Sequence, residues 1–306
     1  MEHTRGVMVD GEPSVKPRIV QQPLPDGSMT PMALRYPEGS PRGIVIIWPG
    51  FGMGARYYRP IAQELQRRGF CVLTSELRGQ GNQTAVATRS HTWGYHDLAS
   101  VDYPMAVSRA RQEFDHVAAG SGEKVGEPAK LPVYFLCHSM GGQIASLYLA
   151  RPDADIAGAV MVGSGTPHYT CFTGNEYKRL RFGAPVMEIV SQILGYWPAG
   201  KIDVAGYGRQ ARNHVVEWAR FARTGQLRPK NADIDYAAEM QKATTPTLLL
   251  NCGGDRDCPA ASAQELMRML PNAAQYEFIE QRLGHNRWAR EPKAVVDRFE
   301  RFIAEN

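Results

Sequence analysis

The chain has 306 residues, of which 43% are hydrophobic, so it is long enough to bury a large core. Its 35 basic and 31 acidic residues give a net charge of +4 without a dense basic block, so we expect no nucleic-acid partner. The apolar runs are only as long as strands, so we expect neither a signal peptide nor a transmembrane segment. We therefore expect a cytoplasmic protein, and in that compartment its five cysteines should be free thiols.

The first half of the chain predicts alternating strands and helices. A polar lead-in over residues 1–16 precedes a hairpin around Asp26 and Gly27, which we place at an edge of the sheet. The β-branched run Gly43–Trp48 is typical of a buried strand, and it ends in a glycine-rich loop. Parallel strands joined by helical crossovers account for this alternation. The sequence therefore predicts an α/β fold with a mostly parallel central sheet flanked by helices.

The alternation stops after the sixth predicted strand, Ala157–Val162. Residues 166–244 have helical propensity and are rich in aromatic residues and arginine, so we interpret them as an inserted helical cap. Strand and helix patterns resume at Thr247–Asn251 and continue towards the C-terminus. The predicted organisation is an α/β core of residues 17–165 and 245–306, with residues 166–244 as its cap, or lid.

A candidate nucleophile follows the predicted strand Val133–Cys137, which runs into the sequence Cys-His-Ser-Met-Gly. This is a near match to G-x-S-x-G, in which the serine lies on a tight turn and small residues two positions away let strand and helix pass closely. Gly141 meets this requirement, whereas Cys137 departs from glycine but is still small. The strand before Ser139 and the helix after it predict an activated nucleophile. His138 cannot be its base, because neighbouring positions across such a turn point in different directions.

A serine nucleophile needs a base and an orienting carboxylate. When the serine lies on such a strand-to-helix turn, the residues follow one another along the chain as serine, then the acid, then the histidine. The loop after Thr247–Asn251 offers two aspartates. We favour Asp255, which directly follows two glycines, and we keep Asp257 as the alternative. His285 follows the last predicted strand, Gln275–Ile279, and is the histidine in the position that the base requires. The sequence therefore predicts a Ser-His-Asp triad.

Backbone N–H groups are needed to stabilise the oxyanion that forms when a serine attacks a carbonyl. We expect one N–H from Met140, directly after the nucleophile, and one from Phe51, in the glycine-rich loop after Gly43–Trp48. That loop lacks the spacing of a dinucleotide-binding G-x-G-x-x-G motif, and the cysteines lack the spacing of a metal-binding finger. The sequence predicts neither a metal site nor a cofactor.

These motifs resemble the α/β-hydrolase superfamily, and in particular its monoacylglycerol-lipase-like branch. The similar stretches are PGFGMGARYYRPIAQELQRRGFCVLTSELRGQGNQ, LCHSMGGQIA, LLLNCGGDRDCP and GHNRW. Within the cap, the stretch GYWPAGKIDVAGYGRQARNHVVEWARF also resembles a group of predicted bacterial hydrolases. Three positions depart from the branch: Pro49 and Gln80 stand where it often has histidine, and Cys137 stands where glycine is usual. The resemblance implies hydrolysis of a carboxylic ester without a metal or organic cofactor.

We interpret the chain as a serine hydrolase, an esterase or lipase that acts on a small-molecule acyl ester through an acyl-enzyme. The alternative is a thioesterase, an acyltransferase or a carbon–carbon bond hydrolase with the same triad, and a further one is a binding protein on a hydrolase scaffold. The sequence leaves the oligomeric state open. The apolar cap residues that are candidates for the substrate pocket are Phe172, Tyr177, Phe182, Met187, Ile193, Tyr196 and Trp197.

Overall fold

The computed structural model describes residues 16–81, 85–119, 130–203 and 206–306, so the predicted lead-in lies almost wholly outside the described residues. The strands within these ranges are, in chain order, β1 (Arg18–Pro23), β2 (Met29–Arg35), β3 (Ile44–Trp48), β4 (Cys71–Thr74), β5 (Val133–His138), β6 (Gly158–Val162), β7 (Tyr196–Trp197), β8 (Gln210–Ala211), β9 (Thr247–Cys252) and β10 (Ala274–Ile279). Strands β7 and β8 form a separate antiparallel ribbon, and the others form one eight-stranded sheet.

The eight-stranded sheet has the order β1-β2-β4-β3-β5-β6-β9-β10. Strand β2 is antiparallel to both β1 and β4, and every other pairing in this sheet is parallel. The prediction of a mostly parallel sheet with an antiparallel hairpin at one edge is confirmed. Strands β3, β6 and β9 are buried along their whole length, which explains why their sequences are continuous apolar runs without polar alternation.

Helices flank the sheet on both faces. In chain order the α-helices are α1 (Arg59–Arg67), α2 (Tyr95–Asp97), α3 (Tyr103–Ala119), α4 (Met140–Leu149), α5 (Gly174–Lys178), α6 (Ala184–Leu194), α7 (Arg212–Thr224), α8 (Tyr236–Met240), α9 (Ala260–Met267) and α10 (Lys293–Glu305). Short π-helical stretches, Leu98–Asp102 and Arg179–Gly183, join α2 to α3 and α5 to α6. A 3-10 turn, Ala55–Tyr58, precedes α1.

Two hydrophobic clusters lie on the two faces of the sheet, and strand β3 contributes to both. Val45 and Ile47 pack in a cluster with α1 and α10, whereas Ile44 and Ile46 pack in a cluster with α3, α4 and α9. This follows from the geometry of a strand, in which successive side chains point to opposite faces. The cluster with α3, α4 and α9 also includes residues of the chain between β6 and β9. That segment is therefore packed against the edge of the same core.

The chain between β6 and β9 contains α5 to α8 and the short ribbon of β7 and β8. The sequence predicted helices alone here, because strands of two residues are too short to show an alternating pattern. The ribbon begins after Gly195, the residue that follows α6, whose φ of 88° is the left-handed conformation that commonly closes a helix. Across the ranges that the structure describes, each helix is too short or too polar to cross a membrane.

Candidate active site

Four loops meet at the carboxyl edge of the parallel strands, since each follows the end of one of them. They follow β3, β5, β9 and β10, and they carry the glycine-rich loop, the candidate serine, the candidate acid and the candidate base respectively. In open α/β sheets this edge is the usual position of a binding site. The topology therefore brings together residues that are far apart in sequence.

Ser139 lies on the turn between β5 and α4. Its φ of 51° and ψ of −116° are unusual for a residue with a side chain, so the turn holds local strain. Its N–H donates to the carbonyl of Val162 in β6 at 3.0 Å, and its own carbonyl accepts the N–H of Gly142 at 3.0 Å. The neighbouring strand and the following helix therefore hold the turn from both sides.

The two small residues around Ser139 have different surroundings. A Cβ on Gly141 would lie 2.7 Å from the carbonyl oxygen of Pro49 and 2.8 Å from that of Trp48, so only glycine fits there. Cys137 lies within β5, paired with Trp48 of β3 and Met161 of β6, and it is fully buried. Burial raises the pKa of the Cys137 thiol well above its usual value, so this thiol stays protonated.

His285 and Asp255 form a partly buried pair. Nδ1 of His285 lies 3.0 Å from each carboxylate oxygen of Asp255, whose side chain is 2% exposed. The carboxylate oxygen Oδ1 also accepts the N–H groups of Asp257 at 3.0 Å and Cys258 at 2.9 Å. The acid loop therefore fixes its own carboxylate. Because a carboxylate accepts, Nδ1 carries the imidazole proton and Nε2 is left to accept one.

Backbone contacts hold the base loop against the acid loop. The N–H of Gly284 donates to the carbonyl of Gly253 at 2.9 Å, and the indole N–H of Trp288 donates to the carbonyl of His285 at 2.8 Å. From the side of β6, Gly163 approaches so closely that a Cβ on it would lie 3.1 Å from Nδ1 of His285. The imidazole is therefore confined between two loops and a strand end.

The alternative acid, Asp257, has a different partner. Its Oδ1 accepts a hydrogen bond from the guanidinium of Arg179, in the π-helical stretch before α6. The neighbouring Arg256 forms an ion pair with Glu176 of α5 at 3.1 Å. Partly exposed ion pairs of this kind contribute little to stability individually. Together they join the acid loop to the segment between β6 and β9, while Asp255 contacts the histidine.

The loop after β3 presents three successive N–H groups. That of Gly50 donates to the hydroxyl of Tyr58 at 2.9 Å, and that of Gly52 donates to the side-chain oxygen of Gln80. The N–H of Phe51, between them, makes no hydrogen bond to any residue that the structure describes. The N–H of Phe51 therefore lies between two N–H groups that are each fixed by a hydrogen bond.

Ser139, His285, Phe51 and Met140 all line one cavity of about 290 Å³. Asp255 lies behind the histidine and is not part of the cavity wall. Met140 occupies the first position of α4, where a backbone N–H has no partner within the helix. The wall contributed by the segment between β6 and β9 includes the side chains of Thr166, Pro167, Phe172, Arg179, Leu180, Tyr207 and Trp218.

The predicted pocket residues are spread over several places in the structure. Phe172 lines the cavity, whereas the other six do not. Met187 and Trp197 are buried in the packing of the segment, and Tyr196 packs under the guanidinium of Arg209, which lies 3.7 Å from the ring centroid. The remaining three predicted pocket residues, Tyr177, Phe182 and Ile193, have exposed side chains.

Leu180, Tyr207 and Trp218 line the cavity but were not predicted to do so. The rings of Tyr207 and Trp218 pack on Phe51, with centroids 4.3 Å and 5.8 Å from its own. Helical periodicity identifies an apolar face but not the element that this face covers. The one signal in the sequence was the glycine at position 52. The structure gives the reason for it, since its φ is 72° and a Cβ there would lie 2.9 Å from the Cα of Tyr207.

His138, beside the serine, is fully buried, and its Nδ1 lies 2.6 Å from the hydroxyl of Tyr58. Burial lowers the pKa of His138 well below its usual value, and the nearby His285, with ring centroids 4.7 Å apart, lowers it further. His138 is therefore neutral and hydrogen-bonded within the core, in agreement with the sequence interpretation that it is not the base.

A second buried histidine, His214 of α7, contacts the same region from the segment between β6 and β9. Its Nε2 lies 2.7 Å from the sulfur of Met140, and its ring centroid lies 5.3 Å from those of both Phe51 and Tyr95. Burial lowers the pKa of His214 to about 3, so the ring is neutral at pH 7. Within the described parts of the chain, no three histidine, cysteine or acidic side chains are grouped as a metal ion would require.

Comparison with known proteins places the chain among hydrolases. The sequence pattern of the alpha/beta hydrolase family matches residues 45–298. The chain is 28% identical over 214 residues to RutD of Pseudomonas syringae pv. syringae, named provisionally as a carbamate hydrolase, covering 66% of this chain and 82% of RutD. It is 23% identical over 240 residues to monoglyceride lipase of Homo sapiens, covering 76% of this chain and 72% of the lipase.

Solved structures show the same fold. A soluble variant of monoglyceride lipase from Saccharomyces cerevisiae matches with a TM-score of 0.66 at 15% identity, covering 96% of each chain. An esterase from Exiguobacterium antarcticum matches with a TM-score of 0.58 at 17% identity, covering 93% of this chain and 98% of the esterase. At these identities the likeness concerns the arrangement of strands and helices.

The close approach at Gly141 predicts a cost for any added side chain. Gly141→Ala should lower the free energy of unfolding by about 1–3 kcal/mol, because the Cβ overlaps two carbonyl oxygens. Gly183→Ala is the matched control, since the nearest atom to an added Cβ lies 3.9 Å away. Urea unfolding of both variants checks this. Equal stability of Gly141→Ala and the wild type would contradict the packing described for this turn.

The buried imidazole of His214 predicts a loss of stability in acid. Its pKa is about 3 in the folded chain and about 6.5 when unfolded, so its contribution is complete above pH 6.5 and declines as pH falls. Between pH 7 and pH 5 this group alone should lower the free energy of unfolding by about 2 kcal/mol. His214→Leu should remove that part of the pH dependence in urea unfolding. The same pH dependence in variant and wild type would contradict it.

Proposed function

The chain belongs to the alpha/beta hydrolase family, and from this premise we propose that it is a serine hydrolase that cleaves a carboxylic ester. One observation carries the proposal. The imidazole of His285, held by the buried carboxylate of Asp255, lines the same cavity as Ser139 on its strained turn. Nucleophile, base and orienting acid in this relation are the elements of acyl transfer through a covalent intermediate.

In the proposed mechanism the hydroxyl oxygen of Ser139 attacks the ester carbonyl, and its proton passes to Nε2 of His285. Asp255 keeps the proton on Nδ1 and stabilises the imidazolium cation. The tetrahedral intermediate then loses the alcohol, which takes the proton from His285, and an acyl-enzyme remains. A water molecule, deprotonated by His285, attacks the acyl-enzyme, and the carboxylic acid leaves as Ser139 regains its proton.

We propose the backbone N–H groups of Phe51 and Met140 as the oxyanion donors. The N–H of Phe51 supports this role, because the N–H groups of Gly50 and Gly52 are hydrogen-bonded, whereas that of Phe51 has no partner among the residues that the structure describes. The N–H of Met140 lies at the start of α4, where the helix dipole also favours a negative charge. Donors that are fixed before reaction stabilise the developing charge without a cost of reorganisation.

The cavity supports a substrate with a small acyl group. A volume of about 290 Å³ lies at the lower end of the range for small-molecule sites, and the wall includes the ion pair of Arg179 and Asp257. We propose that residues 166–244 act as a cap over a core of residues 17–165 and 245–306, since side chains of this segment close the cavity. The cap therefore limits the size of the substrate.

A substrate panel tests the reaction class and the size limit together. We expect p-nitrophenyl acetate and butyrate to be hydrolysed, with kcat/KM falling at least about tenfold for the decanoate because its chain exceeds the cavity. Ser139→Ala and His285→Ala should abolish this turnover while retaining the melting temperature. The same panel includes an aryl carbamate, an acyl thioester and a β-diketone. Faster turnover of one of these than of any ester would contradict the assignment of an ester substrate.

The two aspartates of the acid loop allow a matched comparison. Asp255→Asn should lower kcat by about 10⁴-fold, because an amide donor opposite Nδ1 favours the wrong imidazole tautomer. Asp257→Asn, which makes the same chemical change two residues away, should cost less than about tenfold, since it removes a partner of Arg179 and leaves the tautomer unchanged. Steady-state kinetics with one ester measure both. A large loss in Asp257→Asn alone would reassign the acid.

A further inference from the structure

Tyr58 connects the loop after β3 to the nucleophile turn. It ends the 3-10 turn Ala55–Tyr58 and is fully buried. Its hydroxyl accepts the N–H of Gly50 at 2.9 Å and lies 2.6 Å from Nδ1 of His138, the residue before the serine. One hydroxyl group therefore contacts both the N–H of Gly50, the residue before Phe51, and the imidazole of His138, the residue before Ser139.

Burial keeps both partners of this contact, Tyr58 and His138, neutral. Burial raises the pKa of Tyr58 far above its usual value, so the phenol keeps its proton, and His138 is neutral. The hydroxyl accepts the N–H of Gly50, lies within hydrogen-bond distance of Nδ1 of His138, and also contacts the sulfur of Met53 at 3.5 Å. It therefore joins the loop to the imidazole in either tautomer of His138. The loop also packs directly on this imidazole, because a Cβ on Gly50 would lie 2.9 Å from Nδ1.

Gln80 anchors the other side of the same loop. It follows β4, is 3% exposed, and accepts the N–H of Gly52 with its side-chain oxygen. Its amide nitrogen is buried and has no partner among the residues described. Burying this amide nitrogen without a partner lowers the stability of the fold. The chain therefore keeps the hydrogen bond from Gly52 to Gln80 at a cost in stability. Such a cost is typical of a position that serves a site.

We propose that Tyr58 and Gln80 are positioning residues that orient the N–H of Phe51 as an oxyanion donor. This inference rests on the proposed hydrolase function. The two anchors hold the peptides on either side of Phe51, so the peptide between them cannot rotate freely. Loss of a complete oxyanion donor costs about 10²–10³-fold in kcat, and misplacement by about 1 Å costs a substantial part of that.

Tyr58→Phe tests this role, because it keeps the buried ring and removes the hydroxyl. We expect kcat for p-nitrophenyl acetate to fall about 10–100-fold with KM changed less than about twofold, since the donor acts mainly in the transition state. Gln80→Met should act in the same direction. The affinity for a trifluoromethyl ketone, which forms a tetrahedral adduct with the serine, should fall by a similar factor as kcat.

Tyr148→Phe is the matched control. The hydroxyl of Tyr148 is also buried and accepts a backbone N–H, that of Asp155, at 3.1 Å, but it lies near the far end of α4. This variant should lower the melting temperature by a similar amount and leave kcat and inhibitor affinity unchanged. It therefore separates the loss of a buried hydrogen bond from the loss of a positioned donor.

Each outcome bears on a different claim. If the wild type neither hydrolyses an ester nor binds the trifluoromethyl ketone, the proposed hydrolase function is wrong. If the wild type is active but Tyr58→Phe and Gln80→Met retain kcat within twofold of Tyr148→Phe, the positioning role is wrong. It is also wrong if kcat falls while the affinity for the trifluoromethyl ketone stays at the wild-type value. A parallel loss of both quantities supports it.

Discussion

The close passage of α4 beside the loop after β3 is the constraint on which the rest of the site depends. At Gly141 the helix backbone comes so near that a Cβ would lie 2.7 Å from the carbonyl oxygen of Pro49, in that loop, and 2.8 Å from that of Trp48, at the end of β3. This approach allows Ser139 to adopt its strained φ of 51° with both flanks hydrogen-bonded. It also places Phe51, whose N–H makes no hydrogen bond within the described ranges, at the cavity that Ser139 lines. Fold and candidate chemistry therefore share one packing requirement.

The groups behind the candidate nucleophile are kept neutral by burial. The pKa values of His138 and His214 are lowered, and those of Cys137 and Tyr58 are raised, in each case chiefly because the charged form would lose its solvent. Among these neutral groups the buried carboxylate of Asp255 faces the imidazole of the candidate base. In such surroundings of low polarity, fixed N–H dipoles act more strongly on a developing charge than they would in water.

Much of the core and the three candidate residues could be predicted because they follow local rules. Strand ends, glycine-rich turns and chain order led to Ser139, Asp255 and His285, and the structure brings the last two into contact. The cavity wall could not be predicted, since the packing of Tyr207 and Trp218 on Phe51 is decided by tertiary contacts. The bond between Tyr58 and His138 joins residues 80 positions apart, and no periodic pattern reports it.

The most direct test of Ser139 as the nucleophile is covalent labelling of the folded protein with a fluorophosphonate, followed by intact mass measurement and peptide mapping. A serine that is activated by its base attacks the phosphorus and displaces fluoride, whereas ordinary serines do not. We predict one adduct per chain, located on Ser139, absent in Ser139→Ala and formed far more slowly in His285→Ala. An unlabelled folded wild type, or an adduct that persists in Ser139→Ala, would contradict the assignment.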